Sequence, residues 1–404
     1  MTRNKVFGFA ILALLWSAIL FGGGWLSRSL LFRIEANRAA PNAATNLSAP
    51  NALLDEVWGH VRESFVGDIP TDTVRNYGII RGALSSLNDR YTIFVEPQPR
   101  TIEKEHMRGQ FGGIGVDIRL DETGHIVMNP HPDSPALQAG VQAGDILVRV
   151  DDWTLPEPAD INDVATHVRG EVGTSIRIGV RRAGQELELV VMRGSIQVAS
   201  TDWHVITDTG KANFIIGYIG IHQFTERTGD EVKQAISVLQ KAGSQAYLID
   251  LRDNGGGLLS AAVDVTSRFL SDGVVLYEHR RDQPDVSFPV TPDTAMAALK
   301  EPLVILINGN TASASEIVAG AVQDRGRGKL VGEKSYGKGS VQSIFDLSDG
   351  SSVHVTSAKW LTPNKRTIDG VGLTPDVVVN RAAGEAAVGK YSQIDRAIVE
   401  LRGQ

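Results

Sequence analysis

Apolar positions recur along this chain in three different rhythms, and each rhythm predicts a different kind of structure. Between residues 53 and 91 they return every third or fourth position, at Leu53, Leu54, Val57, Trp58 and Val61, then at Ile79, Ile80, Ala83, Leu84 and Leu87. That spacing predicts a small helical segment. From about residue 100 to 193 the pattern changes to short alternating runs broken by turn residues. Strands are expected at 125–128, 144–150 and twice within 175–192, with a helix near 161–168. Asp121 to Gly124 reads as a hairpin turn. Ser134 and Pro135 open a short helix that Gly140 closes in a left-handed conformation.

From about residue 195 the runs become longer. Buried strands are expected at 215–221, 246–251 and 302–307. Helices follow at 231–239, from 258 to about 269, and up to about 323. Strands alternating with helices imply a largely parallel sheet. In such sheets sites form beyond the carboxyl ends of the strands, where the Gly-rich turn 252–257 and the Ser-rich turn 308–313 both lie.

A chain of 404 residues exceeds one ordinary core, so two or three domains are expected. Residues 6–26 carry no charge and are long enough to span a bilayer, which takes about 20 apolar residues. Arg3 and Lys5 precede the run and no A-x-A pattern follows it closely, which favours an uncleaved anchor over a signal peptide. Residues 35–52 are rich in Ala, Asn and Pro and read as a linker. The net charge of −7 argues against a nucleic-acid partner. The absence of cysteine excludes disulfides, thiolate zinc sites and cysteine nucleophiles.

The chemistry concentrates in two segments. Ser313 stands on a strand-to-helix turn, where nearby helix-end amides can stabilise an oxyanion. Ser313 and Glu316 also form a Ser-x-x-Glu capping box, which needs no catalysis. None of the nine histidines pairs visibly with a turn serine, and none belongs to H-E-x-x-H, so no metal is expected. A lysine replaces histidine when burial favours its neutral form. Lys338 lies between Gly337 and Gly339, and Gln342, four residues on, shares its side in strand geometry. Gly332, Gly337 and Lys338 mimic a phosphate-binding loop, but Gly339 stands where Ser or Thr is required, and a strand pattern follows.

Residues 112–116 (GGIGV), 124–152 and 168–174 together resemble a PDZ domain. That resemblance implies that Gly113, Ile114, Gly115 and Val116 form a carboxylate loop for peptide tails. With DLRDNGGGL at 250–258, the run 311–342 and GVGLTPDVVV at 370–379, the chain resembles the carboxyl-terminal processing (tail-specific) serine peptidases. RGALSSLNDRYTIFVEP at 81–97 matches the same family ahead of the PDZ domain.

The resemblance implies Ser313 as nucleophile, Lys338 as general base and Gln342 as its orienting group. It places the oxyanion hole at Ala314 and a glycine of the 254–257 turn, Gly256 first. Arg252 either couples peptide arrival to site assembly or pairs with a carboxylate. The implied fold is an α/β peptidase core of the crotonase/ClpP kind, a mixed, largely parallel sheet with helices, joined to a β-rich PDZ domain and an N-terminal helical segment. The expected limits are 1–30 membrane segment, 31–52 linker, 53–99 helices, 100–193 PDZ, 194–385 core and 386–404 tail. No cofactor is implied. The partners are protein substrates with accessible tails and the membrane, at the extracytoplasmic face of a bacterial-type cell; a homo-oligomer is left open. A non-catalytic PDZ adaptor and a crotonase-like acyl-transfer enzyme are the rival readings.

Overall fold

The computed structural model describes residues 52–208, 210, 214–293, 297–380 and 392–403. The apolar run at 6–26 and nearly all of the linker lie outside them. Among the described residues no helix is long and apolar enough to cross a membrane. The chain divides at residue 71 into two units. Helix α1 (Ala52–Ser64) belongs to the first and buries none of its residues.

The second unit opens with helix α2 (Asp72–Ser85) and a short strand β1 (Ile93–Val95). Residues 97–108, partly expected as the start of the β-rich domain, instead form helix α3 (Pro97–Arg108). Pro at its start supplies the fixed φ of a first turn, and Gly109 ends it at φ 67°.

A two-stranded ribbon carries the small β-rich domain. Strand β2 (Gln110–Gly113) enters it, and β9 (Gly194–Gln197) leaves it antiparallel to β2. Between them lie β3 (Val116–Leu120), β4 (Ile126–Pro130), helix α4 (Pro135–Gln138), β5 (Asp145–Val150), β6 (Trp153–Thr154), helix α5 (Ile161–Val168), β7 (Ser175–Arg182) and β8 (Gln185–Met192). The sheet order is β3-β4-β5-β7-β8 with β6 on β5, so β3 is an open edge. The Ser134 hydroxyl caps α4 by accepting from the Leu137 amide at 3.1 Å, and Gly140 sits at φ 93°. Alternate strand residues such as Ile126, Met128, Ile176, Ile178 and Val180 meet Val164 of α5 in one core.

The larger domain contains β10 (Thr201–Thr207), β11 (Ile215–Ile221), α6 (Thr228–Lys241), β12 (Ala246–Asp250), α7 (Leu259–Ser267), β13 (Val274–His279), β14 (Val286–Pro289), β15 (Leu303–Ile307) and α8 (Ala314–Asp324). After these come β16 (Lys329–Gly332), β17 (Ser340–Asp346), β18 (Ser352–Leu361), β19 (Val377–Val378) and helix α9 (Ser392–Arg402). The main sheet runs β10-β11-β12-β15-β16-β19, with β10 antiparallel and the others parallel. Strands buried on both faces need apolar residues at every position, and β12 and β15 are fully buried. Tyr247, Ile249, Ile305 and Ile307 face α6, α7 and α8. Leu248, Val304, Leu306 and Val331 face α9 on the other side. A second, antiparallel sheet joins β1, β18, β13 and β14, with β17 on β18. It brings residues 93–95 against residues 352–354, far apart in sequence.

Candidate active site

Three loops meet beyond the carboxyl ends of β12, β15 and β16. Ser313 starts α8 at φ 56°, ψ −118°, a conformation that costs a non-glycine residue about 1–3 kcal/mol. The neighbouring turn holds it there. The Ala312 amide donates to the Asn254 carbonyl at 3.0 Å, and the Ser315 hydroxyl donates to the same oxygen at 3.0 Å. The buried Thr311 hydroxyl reaches the Leu251 carbonyl at 2.8 Å. Asn254 is itself fully buried, its side-chain amide donating to the Ile221 carbonyl at 2.7 Å.

The glycines of 255–257 are not equivalent. A Cβ on Gly256 would lie 2.8 Å from the Ser313 Cβ and 3.0 Å from the Ala314 nitrogen, so this backbone packs directly on the serine turn. Its amide, however, donates to the Asn254 Oδ1 at 2.8 Å. The expectation that Gly256 supplies the oxyanion amide therefore meets an occupied donor. Gly257 bridges Phe224 in parallel register: the Phe224 amide donates to the Gly256 carbonyl and the Leu258 amide to the Phe224 carbonyl. In a parallel ladder that geometry turns the Gly257 N–H to the opposite, unpaired side. Among the described residues neither the Gly257 amide nor the Ala314 amide has an acceptor.

Glu316 joins the serine turn to the lysine loop. Its carboxylate is fully buried. Oε2 accepts from the Ser313 amide at 2.8 Å and the Lys338 amide at 2.9 Å; Oε1 accepts from the Ser335 hydroxyl at 2.6 Å and the Gly337 amide at 2.8 Å. Burial pushes this carboxyl above the ordinary glutamate value, and the four donors oppose that shift. Three of the four donors are backbone amides that cannot turn to accept, which favours the ionised form. The sequence reading found this glutamate as a capping residue and missed its second role.

Lys338 is half-buried. Burial, then the charge of Arg90, hold its amine below the usual lysine range, with Glu103 opposing. The amine lies 5.0 Å from the centre of the Tyr91 ring. The flanking glycines admit residues 368–372: a Cβ on Gly337 would meet the Gly372 nitrogen at 2.8 Å, and one on Gly339 the Asp369 backbone at 2.7 Å. Among the described residues no hydrogen bond joins the Ser313 hydroxyl to the Lys338 amine. Gln342 is not on the lysine either. Lys338 precedes β17, so strand alternation does not run from it to Gln342. The Gln342 side-chain nitrogen donates to the Ser340 hydroxyl at 2.9 Å and the Thr356 hydroxyl at 3.4 Å.

Arg252 takes the carboxylate-paired arrangement. Its Nε donates to the Asp250 Oδ1 at 2.9 Å, and its Nη1 to the Gln393 Oε1 at 2.9 Å. In the small domain, residues 113–116 line a groove of about 490 Å³ with Ile118, Ile161, Ala165 and Arg169, along the open edge β3. Among the described residues the Ile114 and Gly115 amides donate to no acceptor.

Comparison with known proteins agrees with this anatomy. Residues 215–379 match the family described as Peptidase family S41, and residues 126–182 match a PDZ domain. A carboxy-terminal-processing protease of Bartonella bacilliformis is 34% identical over 391 residues, covering 94% of this chain and 86% of that one. The chain belongs to the carboxyl-terminal-processing peptidases. This peptidase is also 34% identical over 339 residues to the carboxyl-terminal-processing protease of Synechocystis sp., covering 82% and 78% of the two chains. Its fold matches the crystal structure of a putative S41 protease from Bacteroides fragilis NCTC 9343, at 16% identity and a TM-score of 0.50, over 90% of this chain and 99% of that one. It is therefore a serine hydrolase acting on peptide bonds, with a PDZ domain.

Proposed function

We propose that this peptidase cleaves proteins near their carboxyl termini with a Ser313–Lys338 dyad, while its PDZ groove holds the substrate tail. The observation that carries the reading is the shared carboxylate of Glu316, which fixes the backbones of both residues to one point. The neutral lysine amine swings from the Tyr91 ring to within about 3 Å of the serine oxygen, a movement its four-carbon stem permits. It takes the hydroxyl proton as Oγ attacks the scissile carbonyl. The amides of Ala314 and Gly257, rather than Gly256, receive the oxyanion. The lysine ammonium then protonates the leaving amine, and the neutral Lys338 amine so regenerated deprotonates the water that releases the acyl group from Ser313. The Gln342 Oε1 receives no described donor, and in this reading it accepts from the lysine when the dyad closes.

The tail is added as a strand to β3, its terminal carboxylate taken by the amides of Ile114 and Gly115. Arg252 is held between Asp250 and Gln393, and in this reading its part is to pair that carboxylate beside the catalytic turn. The limits of the two domains, 100–193 and 194–385, follow the same reading, except that residues 100–108 belong to α3. The apolar run at 6–26 supports placement at the extracytoplasmic face of a membrane, anchored by that run.

The test is cleavage of a free-tailed peptide and its C-terminally amidated twin by wild type, Ser313→Ala and Lys338→Ala. Each variant should lose about 10³-fold or more of turnover with its circular dichroism preserved. Substantial turnover by Lys338→Ala would remove the dyad. Amidation should raise KM; identical kinetics for the two peptides would remove tail capture.

A further inference from the structure

We propose that Arg90 is a positioning residue of this peptidase: it shares the Tyr91 ring with the Lys338 amine and opposes a second positive charge there, which keeps the base unprotonated. The proposal rests on the reading of Lys338 as general base.

The segment that delivers Arg90 and Tyr91 is fixed by its own hydrogen bonds. The Asp89 carboxylate accepts from the Tyr91 amide at 3.2 Å and the Thr92 hydroxyl at 2.6 Å. The Thr92 oxygen in turn accepts from the Thr356 amide of β18 at 3.1 Å, and β1 pairs onto β18 immediately afterwards. The Arg90 guanidinium is thereby held 4.5 Å from the centre of the Tyr91 ring and 5.5 Å from that of Tyr336. The Lys338 amine lies 5.0 Å from the same Tyr91 centre. A ring whose quadrupole already faces a guanidinium has less attraction left for an ammonium, and the two charges repel.

The other charged groups around Lys338 do not cancel this effect. Glu103 of α3 is shared between the Arg100 Nη1 at 2.9 Å and the His354 Nε2 of β18 at 3.2 Å. Glu316 of α8 spends its oxygens on backbone amides and the Ser335 hydroxyl. Burial holds the Tyr91 phenol above the ordinary tyrosine value, so its ring adds no counter-charge beside the amine. Arg90, by contrast, is exposed, and among the described residues no carboxylate pairs with it. No carboxylate neutralises its charge, and the downward displacement of the lysine, due first to burial and then to Arg90, agrees with that.

The experiment is the pH profile of kcat/KM for a free-tailed peptide, measured on wild type, Arg90→Leu, Arg90→Glu, Arg90→Lys and Lys338→Ala. Arg90 is an exposed loop side chain, so these variants should fold. Arg90→Leu should move the acid limb up by about half to one pH unit, the size expected of one partly screened charge within about 10 Å. Arg90→Glu should move it further, and Arg90→Lys should leave it near wild type. High salt should shift the wild-type limb in the same direction as Arg90→Leu and leave that of Arg90→Leu nearly in place. A limb that stays put in both Arg90→Leu and Arg90→Glu, with Lys338→Ala inactive, would overturn the role of Arg90 and spare the base. Turnover by Lys338→Ala would instead bring down the base itself.

Discussion

Replacing Glu316 by Gln keeps the shape of the side chain and removes its charge. The carboxylate accepts four hydrogen bonds, two on each oxygen, in a site closed to water. A carboxamide has one oxygen and an NH₂ group that only donates. If the NH₂ points toward Ser313 and Lys338, two backbone amides face a donor. The opposite flip is cheaper: the Ser335 hydroxyl turns to accept, although it already accepts from the Leu373 amide at 2.7 Å, and only the Gly337 amide is orphaned. One orphaned buried donor costs about 1–3 kcal/mol, and the two bonds that remain lose roughly half their charge-assisted strength. The total is about 3–5 kcal/mol of stability. Because the lost contacts hold the lysine loop against the serine turn, a displacement on the order of 1 Å should cost about 10²-fold in kcat. Urea unfolding gives the first figure, and peptide cleavage alongside fluorophosphonate labelling of Ser313 gives the second. A Glu316→Gln enzyme with wild-type midpoint and turnover would refute the claim that this carboxylate ties the two loops.

Two further outcomes follow from particular contacts. Gly257 sits at φ 143°, and a Cβ there would lie 2.0 Å from the Phe224 carbonyl oxygen, whereas a Cβ on Gly255 meets nothing within 4 Å. Gly257→Ala should cut kcat by about 10²-fold or more while Gly255→Ala is tolerated; equal losses at both positions would contradict the assignment of the oxyanion amide. In the PDZ domain, burial pushes the Asp145 carboxyl up, but Arg182 and the Gln142 amide outweigh it and hold it below the ordinary aspartate value. Arg182→Leu should therefore lower the unfolding midpoint at neutral pH, an advantage of wild type that fades as pH falls below about 4 and through the lowered value. Thermal unfolding across pH checks this, and parallel curves for the two proteins would count against it.

Much of the architecture was legible because each rhythm has a local cause. The helix at Ile161–Val168 coincides with its periodic stretch, and the short helix after Ser134 begins and ends on the residues that cap it. Helix α3 was hidden because its sequence, PQPRTIEKEHMR, is polar nearly all round and buries only Arg100, so it has no apolar stripe to read. The lysine loop and the serine turn could be named from residue type, yet the group that joins them carried a sufficient local explanation as a cap. Gln342 lies in β17 while Lys338 stands before it, so the strand spacing that would put the two on one side does not hold between them. Arg90 and Tyr91 reach the lysine only through pairing of β1 with β18, which is a property of the tertiary fold.

The ribbon formed by β2 and β9 gives the PDZ domain neighbouring points of entry and exit, and the Val198 amide still bonds the Gly109 carbonyl at 3.0 Å just outside it. None of the strands of the catalytic sheet runs through this neck. A binding module mounted on such a stalk can be lengthened, retuned for a new ligand or exchanged wholesale over evolutionary time. The machinery that breaks the bond keeps every strand it needs, so recognition and chemistry are free to diverge at different speeds.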